Sequence, residues 1–161
     1  MERRAGCRQR RMEAQEEGRR LAHAGDRLHL QGCMLYWAEG GKDRNVVRFT
    51  NSDAAMVRLF VRFLRRCYAV SDDRMTLTIS CYLGNGLELG EIESWWLDTL
   101  ELPRPSLRRS HVGTAKPKRS ASRSVLVHGP ARVTVCSTAL AQSIYGGIQE
   151  YAALDGYRWL D

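Results

Sequence analysis

Glu39 closes the most apolar run of the chain, Cys33-Met34-Leu35-Tyr36-Trp37-Ala38, and is followed by Gly40, Gly41 and Lys42. A carboxylate in that position stands at the edge of a buried element, and the two glycines leave backbone that a ligand can approach. Hard divalent cations such as Mg²⁺ take one or two carboxylates and complete their shell with water and phosphate oxygens. One acid per chain makes a poor metal site; two chains meeting about a two-fold axis near this point would supply two. The simpler alternative is a surface glutamate that ends a helix.

A second kind of chemistry is written in charge. The chain carries a net charge of +7, and residues 104–123 hold seven basic residues and no acid: Arg104, Arg108, Arg109, Lys116, Lys118, Arg119 and Arg123. This block equals the whole excess and has the density expected of a phosphate-binding surface. The alternative is a solvated loop whose charge aids solubility. A third feature is hydroxylic. Met75, Leu77, Ile79, Cys81 and Leu83 alternate with Thr76, Thr78, Ser80 and Tyr82, a period-two strand that is apolar on one face and hydroxylated on the other.

Other catalytic signatures are missing. No Walker loop, no GxGxxG, no HExxH and no CxxC pair occurs, and the four histidines (23, 29, 111, 128) are scattered. The five cysteines (7, 33, 67, 81, 136) read as small buried hydrophobes in a reduced, cytoplasmic setting. The arginines that follow Met1-Glu2 leave no apolar h-region for a secretory signal. The longest apolar run is far short of the roughly 20 residues of a membrane span, so no membrane partner is expected. Lysine occurs only at 42, 116 and 118, a bias that fits a GC-rich coding genome.

These groups must be positioned by elements. Residues 7–24 are Arg/Glu-rich with few large apolar side chains, and a Glu16–Arg20 pair supports a solvated helix expected to pack weakly or fray. Residues 1–27 therefore read as a basic N-terminal helical arm, and 28–161 as the folded domain, with the basic loop at 104–123. Residues 27–38 are apolar nearly all round and should be buried on more than one side, stopped by Gly40-Gly41 as a left-handed cap. Residues 45–50 alternate as a strand, with Val47 and Phe49 inward and Arg48 and Thr50 outward. Asn51-Ser52-Asp53 then caps a helix that buries Val57, Phe60, Val61, Leu64 and Tyr68, and leaves Arg58, Arg62, Arg65 and Arg66 outside. A helix over 90–101 places Ile92, Trp95, Trp96, Thr99 and Leu100 inward and Glu91, Glu93, Asp98 and Glu101 outward. Ser124–His128 and Arg132–Cys136 flank Gly129-Pro130 as a hairpin, and a last helix presents Leu140, Ile144, Ile148 and Tyr151. One-sided strands and helices to cover them give an α+β fold.

The segment Gly32-Cys33-Met34-Leu35-Tyr36-Trp37-Ala38-Glu39-Gly40-Gly41-Lys42, followed by Val46-Val47-Arg48-Phe49-Thr50-Asn51-Ser52-Asp53, resembles the LAGLIDADG family of homing-endonuclease-like proteins over about residues 28–152. In that family an apolar helix ends in an acid and a glycine, and a strand and an "NSD" turn lead to an amphipathic helix. The resemblance implies a saddle: an antiparallel sheet covered on one face by helices, whose polar face lies on double-stranded DNA. It implies Glu39 as the Mg²⁺-binding acid at the scissile phosphate, with Lys42 as a neighbouring cation. It puts Arg48, Thr50, Thr76, Thr78, Ser80, Tyr82, Arg132 and Thr134 against the groove. One motif per chain implies a homodimer. Trp37 replaces the motif's first acid, and Cys33 and Tyr36 stand where the family places small residues for close helix contact. Three functions follow: a Mg²⁺-dependent homodimeric endonuclease, a non-catalytic DNA-binding transcriptional regulator of the same fold, and a protein-interaction module for an acidic partner.

Overall fold

The computed structural model describes residues 2–83, 86–113 and 127–160, with side chains from residue 5 onward. Five helices and four strands follow the order α1 (Glu2–His23), α2 (Arg27–Glu39), β1 (Val47–Asn51), α3 (Ala54–Tyr68), β2 (Thr76–Tyr82), α4 (Leu89–Leu100), β3 (His111–Gly113), β4 (Ala131–Val135) and α5 (Thr138–Tyr151). The class is α+β. No described helix is long and apolar enough to cross a membrane.

The sheet has the order β1-β4-β2-β3. β4 runs antiparallel to both of its neighbours, and β3 joins β2 in parallel. The sheet is therefore mixed rather than antiparallel. Its cause is connectivity: α3 and α4 are crossovers, and a crossover returns the next strand in the same direction. β1, β2 and β3 share one direction, with β4 inserted between the first two. Both edges of β4 are occupied, so the expected 124–128/132–136 hairpin does not form around it. Residues 124–126 lie outside the described residues, while Val127 and His128 form a bend.

One face of the sheet is the wall of the core: Val47, Phe49, Leu77, Ile79, Ala131 and Val133 are fully buried. α3 packs on it through Val57, Phe60, Val61 and Leu64, the stripe its sequence spacing describes. Asp53 starts this helix by accepting from the amides of Ala55 and Met56, while Asn51 accepts from Asp53. A row of rings then runs outward from the sheet. Phe49 stacks on Phe60, Phe60 on Tyr36, Tyr36 meets Tyr145, and Tyr145 stacks on Trp159, with centroids 4.5–6.1 Å apart.

α1 is not a loose arm. It lies along α5, and the two backbones touch: a Cβ on Gly18 would overlap the carbonyl of Ser143, and one on Gly146 would overlap that of Gln15. Three buried glutamines seal the seam. Gln15 donates to Gln142 (2.8 Å) and to the Arg158 carbonyl (2.7 Å), and Gln149 donates to Gln15 (2.9 Å). Arg20 pairs with Glu17, and Glu16 pairs with Arg19 and accepts from Tyr157, so the expected Glu16–Arg20 pair is not made. With α1 on one side and α2 on the other, α5 is buried continuously from Leu140 to Gln149.

α2 differs from its expectation in the opposite sense. His29, Gly32, Cys33 and Tyr36 are buried, while Leu30 (40%) and Trp37 (41%) are exposed. The helix buries one side only, because no described residue covers Leu30 and Trp37 on the other. Cys33 and Tyr36 point into their own core, so they do not stand on a surface where a second motif helix could meet them. Leu83 is exposed, Trp95 is partly exposed and stacked flat on His128 at 3.7 Å, and Cys7 and Cys136 are exposed.

Candidate nucleic-acid interface

The second face of the sheet is open. Its residues are laid out by register. Arg48, Thr134 and Thr76 form one cross-strand row, and Thr50, Arg132 and Thr78 form the next. Ser80 and Tyr82 continue along β2, where Ser80 pairs with His111 and Tyr82 with Gly113. All are exposed or half-buried. A Cβ at Gly113 would overlap the Tyr82 ring, so glycine is what lets that ring lie across β3. The guanidinium of Arg132 is held by the Thr50 hydroxyl, with Nε at 3.0 Å, and Thr76 donates to the Thr134 carbonyl at 3.4 Å. Arg48 pairs with Asp43. Because strand side chains alternate, the same register that buries Leu77, Ile79 and Val133 forces these hydroxyls and guanidiniums outward.

The basic segment divides. Arg104 donates to Glu93 at 2.8 Å, and Ser110 donates to the other carboxylate oxygen at 2.8 Å. Glu93 is buried rather than outward-facing, and it fastens both ends of 104–110 to α4. Its charge neutralises Arg104, which is a structural ion pair. Arg108 behaves differently. Its amide donates to the Leu77 carbonyl at 2.8 Å, and Leu107 pairs alongside Leu77. Leu107 packs on the core, so alternation puts Arg108 at the open face beside Thr78. Arg108 and Arg109 are exposed and form no ion pair among the described residues. Lys116, Lys118, Arg119 and Arg123 lie outside the described residues.

Glu39 ends α2 at the sheet edge. Gly40 bridges to Phe49, and the Gly41 amide donates to the Arg48 carbonyl at 2.7 Å. Glu39 is exposed, and the backbone that follows it runs along β1. Gly40 is extended (φ −77, ψ 160) rather than left-handed. Its lack of a side chain serves the Tyr36 ring, which a Cβ would overlap. Lys42 is engaged at the end of α2. Its ammonium donates to the carbonyls of Trp37 (2.7 Å), Gly40 (3.1 Å) and Tyr36 (3.4 Å), closing the C-terminus of α2. Burial lowers its pKa, and the Glu39 carboxylate opposes that shift.

Among the described residues no group of three or more His, Cys, Asp and Glu side chains could hold a metal ion. Glu39 brings one carboxylate, and the nearby Asp43 is engaged by Arg48. One chain by itself does not fit a Mg²⁺ site, so no chemical step is derived through the ion.

His111 and the placement of Arg108 beside β2 were not foreseen from sequence. Both depend on the parallel β2–β3 pairing, which three exposed residues do not announce. No protein-family model matches the chain, and no curated protein or solved structure is similar enough to it to count as a match.

Proposed function

We propose that the chain binds double-stranded DNA with the open face of its sheet, as a homodimer. The observation that supports this most is the composition of that face: hydroxyls and guanidiniums in cross-strand rows, with the uncompensated Arg108 and Arg109 at its margin. Guanidiniums and hydroxyls are the groups that meet phosphate oxygens and base edges. The exposed Leu30, Trp37 and Ala38 on α2, beside Glu39, form the surface on which a second copy would close. The five free cysteines accord with a cytoplasmic setting.

Fluorescence anisotropy with short duplexes between roughly 50 and 200 mM salt tests the reading, since each lost phosphate contact flattens the log–log salt slope by about 0.9. Replacing Arg48 and Arg132 by Ala should weaken binding, and replacing Arg108 and Arg109 should flatten the slope by about two such steps. Unchanged affinity in both variants would leave an acidic protein partner as the better account. Between regulator and endonuclease, the engagement of Lys42 and Asp43 favours the regulator. The free carboxylate of Glu39 is the feature that keeps cleavage in play. Nicking of supercoiled plasmid with Mg²⁺, lost in Glu39→Gln while affinity stays, would establish the endonuclease. Firm binding without nicking establishes the regulator.

A further inference from the structure

A cavity of about 610 Å³ opens where the end of α1, the start of α2 and the end of α3 converge. Arg27, Arg62 and Arg66 line it, with Leu28 on its wall and His29 and Cys67 beside them. None of the three arginines forms an ion pair among the described residues. The one acid in the lining, Asp26, is turned onto the start of α2, where it accepts from the His29 amide at 2.9 Å.

The charges are arranged against local preference. Arg27 is the first residue of α2, a cation at the positive end of the helix dipole, where the N-cap Asp26 is the one acid. Arg62 and Arg66 are four residues apart on α3, neighbours of like sign. An anion seated among them relieves both conflicts. The floor is ordered: His29 is 1% exposed, and its ring nitrogens are held by the Tyr151 hydroxyl at 2.9 Å and the Tyr68 hydroxyl at 3.0 Å.

We propose that this cavity binds a small phosphate monoester, its phosphate gripped by the three guanidiniums and its apolar part against Leu28. Guanidinium forks match the multiple oxygens of a phosphate dianion better than a lone carboxylate. The volume is that of a small-molecule site. The site is also remote from the open sheet face: α2 separates them, and its 13 residues span roughly 20 Å. DNA lying on the sheet does not reach it, so the proposal stands or falls separately from the DNA reading.

Calorimetric titration of the full chain at fixed ionic strength, with phenyl phosphate, inorganic phosphate and phenol as probes, tests it. Phenyl phosphate should bind more tightly than inorganic phosphate, and phenol should not bind. Arg27→Ala should cost about tenfold in affinity and the Arg62→Ala/Arg66→Ala pair about a hundredfold, one charge-assisted contact being worth about a factor of ten. Arg48→Ala/Arg132→Ala should bind phenyl phosphate normally. Circular dichroism verifies that the variants, altered only at exposed side chains, are folded. No binding by the wild type, or equal binding by the Arg62/Arg66 variant, overturns the proposal. So does displacement of phenyl phosphate by duplex DNA together with a DNA-affinity loss in the Arg62/Arg66 variant, which would make the cavity a backbone contact.

Discussion

The α1–α5 seam and the open face of the sheet are both rich in polar side chains, yet they use them in opposite ways. At the seam Gln15, Gln142 and Gln149 are fully buried, and each has its hydrogen-bonding groups matched by another glutamine, by a backbone carbonyl or, at the Gln149 oxygen, by the Arg158 amide. On the sheet Thr78, Ser80 and Tyr82 have no side-chain hydrogen-bond partner among the described residues, and Arg132 has one hydroxyl. A buried polar group is tolerated only when satisfied, so the seam's polarity specifies how α1 docks. An exposed polar face carries no such demand and stays available to a partner. Polarity inside this molecule is architectural, and polarity on its sheet is the part open to function.

That contrast is most directly broken at the seam. Gly18→Ala sets a Cβ against the Ser143 backbone carbonyl, which cannot swing aside as a side chain could. We expect a loss of about 3 kcal/mol in chemical denaturation, the upper range of overpacking costs. A loss of a few tenths would mean that α1 rides loosely on α5.

Gln149→Leu comes next. It removes the amide that donates to Gln15 and Tyr145 and the oxygen that accepts from the Arg158 amide, leaving the buried Gln15 oxygen without its donor. The expected cost is about 2 kcal/mol. A neutral result would show that water replaces the amide.

On the open face the same kind of substitution should leave stability alone. Arg132→Ala should change the unfolding free energy by about 0.5 kcal/mol or less, while duplex affinity falls about tenfold. A stability loss as large as that of Gln149→Leu would move Arg132 into the architectural class.

His29 gives the smallest effect and a definite sign. Burial lowers its pKa below the ordinary histidine value, outweighing the field of Asp26. The unfolded chain therefore takes up the proton first. Its contribution to stability is complete above the ordinary value and declines as pH falls below it, levelling off only under the lowered pKa. Stability measured downward from neutral pH should decline more steeply in the wild type than in His29→Gln. Equal slopes would mean that the Tyr68–His29–Tyr151 contact does not resist protonation.

β1, β2, β4 and α3 were legible because their periods are short and their neighbours adjacent: Leu77 and Ile79 against Thr76 and Thr78, or Val57, Phe60, Val61 and Leu64 on one helical face. The polar members of the candidate interface on β1, β2 and β4 came with them. α1 was misread because its apolar content is low and the signal of its packing is Gly18, a residue that reads as a helix breaker until a second backbone is placed against it. Glu93 was assigned to solvent and Arg104 to phosphate because eleven residues of sequence separation conceal a direct ion pair.

By itself the sequence determined which residues share a face, where α2 and α3 begin and end to within a residue or two, and where positive charge is concentrated. Local periodicity and capping chemistry carry that information, since both act within a few residues. Tertiary structure alone decided which faces are covered. It inserted β4 between β1 and β2, set β3 parallel, turned Cys33 and Tyr36 into the core, gave Lys42 to the end of α2, and left Glu39 free at the edge of the sheet. The physical reason is that a period fixes a side chain's direction relative to its own element, whereas burial, pairing and neutralisation are set by whichever distant segment arrives opposite.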